Sequence, residues 1–111
     1  MRKIYIAGPM SGHDQLNHNE FFRIERLLKS HGWNPINPAS LDLAAGINPN
    51  VPMNEYDYAA AARRDIEALK TCDAIYLMAG WQYSKGACWE RAIAVDLGIP
   101  CYYEIPREDH S

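Results

Sequence analysis

Asp73-Ala74-Ile75-Tyr76-Leu77-Met78 is the stretch on which the fold turns. It is a short apolar run rich in β-formers, too short for a helix, and it reads as a buried strand. Upstream, residues 55–71 form a helical segment with Ala59, Ala60, Ala61, Ala62, Ile66 and Leu69 on its buried side. Downstream, residues 79–85 form a loop, a third helix begins at Gly86 or Ala87, and Gly98 stops it. Residues 99–105 then supply a last strand, and residues 107–111 are a polar tail. Toward the N-terminus, Lys3-Ile4-Tyr5-Ile6-Ala7 is a strand ended by Gly8-Pro9. Over residues 17–31, Phe21, Phe22, Ile24, Leu27 and Leu28 recur at helical spacing, with Gly32 as the stop. Residues 33–36 form a short second strand. Residues 37–54, with Pro38, Pro49, Pro52 and several asparagines, read as a long loop.

The order β-α-β-α-β-α-β predicts an α/β protein, a flavodoxin-like or Rossmann-like three-layer sandwich. Its parallel sheet should have about four strands in the order 2-1-3-4, within a single domain spanning residues 1–111. Ligands in such folds gather beyond the carboxyl ends of the strands, at the switch between the first and third. Three loops meet there: residues 8–16, 37–54 and 79–86.

Composition narrows the partners. The 111 residues carry 11 Lys+Arg against 14 Asp+Glu, a net charge of -3, with 48% hydrophobic and 23% charged residues. That is an ordinary globular balance, and its mild acidity supplies no field for nucleic acid. No apolar run approaches the ~20 residues of a membrane span, and no signal peptide is evident, so no membrane partner and a cytoplasmic location are expected. Cys72, Cys88 and Cys101 are odd in number and widely spaced. They fit reduced core thiols better than a disulfide framework or a zinc site, so no metal and no cofactor are expected.

Three constellations could carry chemistry. Gly8, Ser11 and Gly12 follow the first strand and can bring backbone N–H groups to an anion, although a plain βα turn needs the same residues. In Tyr83-Ser84-Lys85-Gly86-Ala87-Cys88-Trp89-Glu90, a small-residue loop leads into a helix carrying a carboxylate. The helix N-terminus is expected to keep Glu90 ionised, as a nucleophile requires; the plainer reading is a charge that complements the helix dipole. Asp65, in Arg63-Arg64-Asp65, is a poor residue for a helix interior, and an ion pair with a neighbouring arginine is its ordinary explanation.

In order and spacing these segments resemble the nucleoside 2-deoxyribosyltransferase superfamily, especially a branch of short phage and bacterial proteins. The superfamily includes 2'-deoxynucleoside 5'-phosphate N-hydrolases. The resemblance rests on Ile4-Tyr5-Ile6-Ala7-Gly8-Pro9-Met10-Ser11-Gly12, on Arg64-Asp65-Ile66 ahead of Asp73-Ala74-Ile75, and on Ser84-x-Gly86-x-x-Trp89-Glu90. It implies that Glu90 is a nucleophile attacking C1' of a deoxyribose, that Tyr5 holds its carboxylate, and that Asp65 assists departure of the base. Ser84 stands where nucleoside transferases of the superfamily carry a carboxylate and the monophosphate hydrolases a serine. A hydroxyl accepts a phosphate dianion that a carboxylate would repel. Ser84 and Gly86, with Gly8, Ser11 and Gly12, would thus bind a small-molecule nucleotide.

Two departures accompany the match. Pro9 and Met10 replace more polar phosphate-loop residues. Longer relatives add a C-terminal segment that gives a site residue to a neighbouring subunit, for which only Glu104 to Ser111 could stand in. The expected function is cleavage of the N-glycosidic bond of a nucleoside 5'-monophosphate, by hydrolysis or transfer. The alternative is a non-catalytic nucleotide-sensing module of the same fold. A homo-oligomer is expected, with Trp81, Tyr102 and Tyr103 as candidate interface residues, each of which could equally be core.

Overall fold

The apolar period of β1 (Lys3–Ala7) explains the layering of the molecule. Successive strand residues point to opposite faces, so Ile4 and Ile6 enter one core while Tyr5 and Ala7 enter the other. All four lie at or near zero exposure. The computed structural model describes residues 2–10, 13–50 and 58–105. Their order is β1, α1 (His18–Ser30), β2 (Asn34–Ile36), α2 (Pro38–Ala44), α3 (Tyr58–Leu69), β3 (Ala74–Leu77), α4 (Lys85–Asp96) and β4 (Cys101–Tyr103). Short 3-10 turns precede α1 and α4.

The four strands form one parallel sheet in the order β2-β1-β3-β4, as predicted. On one face Phe21, Ile24 and Leu28 of α1 cover Ile4, Ile6, Ala74 and Met78. On the other, Leu69 of α3 and Ala87 and Ala94 of α4 cover Tyr5, Ile75 and Leu77. Both α1 and α4 end as expected at glycines. The N–H groups of Gly32 and Trp33 return to Lys29 and Leu28, and those of Gly98 and Ile99 to Val95 and Ala94, the paired bonds of a Schellman stop. No helix among the described residues is long and apolar enough to cross a membrane. The three cysteines carry free thiols, and Cys72 is buried.

The structure corrects the sequence reading in three places. Residues 38–44, expected as loop, form α2. Asn37 accepts the Ala39 N–H at 2.9 Å, and Pro38 occupies the first helical turn, where its missing N–H costs nothing. A proline-rich segment suggests a loop, but the first of these prolines starts a helix. Ala59 lies exposed, so the buried side of α3 is carried by Ala61, Ile66 and Leu69. The last strand is only Cys101–Tyr103, and Ile105 is exposed. Of the candidate interface aromatics, Trp81 packs against Tyr103 with ring centroids 5.7 Å apart, and Tyr102 meets Trp33 edge-on at 5.7 Å.

Candidate active site

A pocket of about 960 Å³ opens over the carboxyl ends of β1 and β3, at the switch point where the strand order reverses. Its walls come from the loop after β1, the inner face of α3, the Ala79–Gly80 turn and the first two turns of α4. Two side chains fix those walls. Asn17 donates from Nδ2 to the Pro9 carbonyl at 2.9 Å, tying down the loop after β1. Glu104 accepts the Ala79 N–H at 2.8 Å and pairs with Arg23 at 3.0 Å, so the end of β4 anchors the opposite wall.

The sequence candidates converge on this space. Gly8, Asp65, Ser84, Gly86 and Glu90 line it, and Tyr5 lies fully buried directly beneath. Ser11 and Gly12 lie outside the described residues. The Tyr5 hydroxyl donates to Oε2 of Glu90 at 2.5 Å, joining residues from β1 and α4. Ser84 caps α4 by accepting the Ala87 N–H at 3.2 Å.

The two glycines answer to different demands. A Cβ on Gly8 would stand 2.7 Å from the Met78 sulfur and 2.9 Å from its Cβ, so the approach of β1 to the end of β3 requires glycine there. A Cβ on Gly86 would meet nothing within 4 Å, so folding does not require that glycine. Its bare backbone leaves the pocket wall open instead.

The charge state of Glu90 departs from expectation. It is the sixth residue of α4, past the first turn where a helix dipole acts, and it is only 8% exposed. Burial, and then the negative charge of Asp65, push its carboxyl up from 4.5 to about 8, against the opposing Tyr5 hydrogen bond. Desolvation of a carboxylate outweighs a dipole whose effect is ~0.3–1 kcal/mol. Asp65 rises from 3.8 to about 7, chiefly by burial and then through Asp42, with Arg64 and Tyr5 opposing. Tyr5 is raised well above its ordinary value by burial and by Glu90, so its hydroxyl stays a donor. Two carboxyls that share a pocket and give up protons near neutrality are suited to proton transfer and nucleophilic work.

Asp65 does not form the expected ion pair with a neighbouring arginine. Arg64 turns to Asp42 of α2 at 3.2 Å, and Oδ1 of Asp65 is buried without a hydrogen-bond partner. Sequence reading missed Asp42 because it missed α2; the Asn37-Pro38 start signal could have found the helix. It also gave no role to Tyr83, 94% exposed, or Trp89, 49% exposed, both on the pocket rim. Their exposure and their place beside the cavity belong to the folded structure, and the sequence carries no signal for either.

The fold is similar to that of two 2-deoxyribosyltransferases of known structure. A 2-desoxiribosyltransferase from Leishmania mexicana superposes with a TM-score of 0.65 at 20% identity, over 93% of this chain and 63% of that one. This chain therefore spans less than two thirds of the Leishmania protein. A 2-deoxyribosyltransferase from the psychrotolerant bacterium Bacillus psychrosaccharolyticus superposes with a TM-score of 0.65 at 26% identity, over 95% of this chain and 77% of that one. By sequence, the chain belongs to the family described as domain of unknown function DUF4406, whose model matches residues 2–103. No curated protein matches the sequence. The resemblance to the nucleoside 2-deoxyribosyltransferase superfamily is borne out at the level of fold.

Proposed function

We propose that this protein cleaves the N-glycosidic bond of a small (deoxy)nucleoside 5'-monophosphate through a covalent glycosyl–Glu90 intermediate. The observation that carries this reading is the buried Tyr5–Glu90 hydrogen bond at 2.5 Å on the floor of a pocket that Asp65 also lines. A carboxylate held by a buried hydroxyl is aimed before substrate arrives, which removes orientational entropy from the attack. The reactive form is the one in which Asp65 holds its proton and Glu90 has lost its own. A Glu90 carboxylate oxygen then forms a bond to C1' as the C1'–N bond breaks, and that electron pair leaves with the base. Asp65 supplies the proton the departing nitrogen takes up. The reverse roles then release the sugar: Asp65, now a carboxylate, takes a proton from water or from a second base that attacks C1', and Glu90 departs as carboxylate.

Ser84 and the backbone at Gly8 and Gly86 line the same pocket, and with Ser11 and Gly12 they would receive the 5'-phosphate. The neutral Ser84 hydroxyl favours a dianion that a carboxylate there would repel. Apolar Pro9 and Met10 on the wall favour the second reading, a module that binds the nucleotide without turning it over. The exposed Tyr102 and Tyr103 of edge strand β4 support a homo-oligomer, which sedimentation would register as a mass above that of one chain.

The decisive experiment incubates deoxynucleoside 5'-monophosphates with the protein and follows free base by chromatography. Release that disappears in Glu90→Gln, with nucleotide binding retained, is the expected result. Turnover surviving in that variant removes the covalent mechanism, and a raised melting temperature with no release in the wild type selects the binding module. A nucleoside should bind at least tenfold more weakly than its monophosphate, a gap of ~1.4 kcal/mol, and Ser84→Asp should reverse the preference. Equal affinities in the wild type would exclude the phosphate subsite.

A further inference from the structure

Asp42 is a carboxylate at 1% exposure with no part in the chemistry above. Its Oδ1 accepts from Nη2 of Arg64 at 3.2 Å, and its Oδ2 lies 3.6 Å from Nε2 of His18. Three helices thus meet on one side chain: α2 carries Asp42, α3 carries Arg64 and α1 carries His18. Arg64 precedes Asp65 on the same helix, and its guanidinium is the cation whose charge acts on that carboxyl. It is directed to α2. Among the described residues Asp65 makes no ion pair, and its buried Oδ1 has no hydrogen-bond partner.

We propose that Asp42 is a positioning residue for the pocket: by engaging the Arg64 guanidinium on the α2 side, it keeps that cation out of contact with Asp65 and leaves Asp65 facing the substrate as an acid without an ion-pair partner. A buried carboxyl paired to a guanidinium is held ionised and cannot donate a proton; one denied that partner retains its proton to higher pH. Around Asp65, Glu90 of α4 and Asp42 of α2 disfavour a second negative charge beside them, while Arg64 of its own helix and the Tyr5 hydroxyl of β1 act in the opposite sense. His13 and Lys85 line the same pocket, and His18 stands at the other oxygen of Asp42. The proposal rests on the reading of Asp65 as proton donor, but its structural half can be measured without turnover.

The test is a carbon-13 NMR titration of the whole protein labelled at aspartate carboxyls, with Asp65 assigned by its loss in Asp65→Asn. In the wild type Asp65 should titrate well above the ordinary carboxylate range; a midpoint near 4 overturns the proposal. Asp42→Asn removes a charge that raises Asp65 and also weakens the hold on Arg64, so the Asp65 midpoint should fall by about one pH unit or more. The alkaline limb of kcat/KM for base release should fall with it. Adding Arg64→Gln to that variant should recover part of the fall; no recovery assigns the fall to the lost Asp42 charge and overturns the proposal. An unchanged Asp65 midpoint in folded Asp42→Asn also overturns the proposal. Should that variant fail to fold, Arg64→Gln decides. A guanidinium in contact depresses a carboxyl by ~1–3 units, so a rise of that size would make Arg64 the counterion of Asp65 and overturn the proposal, whereas a smaller change supports it. A shifted midpoint in a protein that releases no base keeps the positioning role and rejects the glycosidic reading.

Discussion

Asp42 and Glu90 are both buried carboxyls, yet the fold surrounds them in opposite ways. Asp42 is met by the Arg64 guanidinium and the His18 ring. Glu90 is met by one tyrosine hydroxyl, and the charged group that most affects it is Asp65, of the same sign. A carboxylate buried to join elements is matched with a cation, because leaving it unmatched costs several kcal/mol. A carboxyl buried without a cation holds its proton more tightly and becomes available for chemistry near neutral pH. The difference separates the frame of this molecule from its working site.

The largest effect expected from breaking this contrast is on the frame. Asp42→Ala leaves Arg64 without its partner, and stability should drop by about 3 kcal/mol, the lower end for a broken buried pair because Arg64 is partly exposed. Urea denaturation measures it, and a loss below ~1 kcal/mol would place the pair with weak surface ion pairs.

At the site the sign reverses and depends on pH. The carboxyls of Glu90 and Asp65 titrate at about 8 and about 7 in the folded protein, above their ordinary 4.5 and 3.8. The native state therefore holds more protons than the unfolded chain between about pH 4 and pH 8, and stability should fall as pH rises through that window. Glu90→Gln removes one ionisable carboxyl. It should raise stability at pH 8 by on the order of 2 kcal/mol, several degrees in melting temperature, and change little at pH 5. Equal shifts at both pH values would show that Glu90 contributes no charge burden.

A smaller version of the contrast lies in the two pocket glycines. Gly8→Ala drives a methyl against Met78 and should cost about 1–3 kcal/mol through overpacking. Gly86→Ala meets open space within a helix and should be neutral or stabilising by up to ~1 kcal/mol, while nucleotide affinity falls. Thermal melts with and without a deoxynucleoside monophosphate separate the two effects. A Gly86→Ala variant that binds as tightly as wild type would remove that backbone from the pocket's function.

The alternation of short apolar runs with helical spacing, punctuated by Gly32 and Gly98, was enough to place the four strands and their 2-1-3-4 order. These are local properties: side-chain period and backbone preference operate within a few residues, and the sequence displays them directly. The same reading selected Tyr5, Asp65 and Glu90, with family resemblance supplying the roles that periodicity could not. The start of α2 was also local, written in Asn37 and Pro38, and was missed because proline has opposite meanings inside a helix and at its first turn. Tertiary structure alone decided the partners and the charges. Arg64 turns to Asp42 and not to adjacent Asp65, and Glu90 meets Tyr5 from 85 positions away. A proton's affinity for a carboxyl is set by how much water reaches it and by which charges surround it in space, and neither quantity exists until the chain has folded.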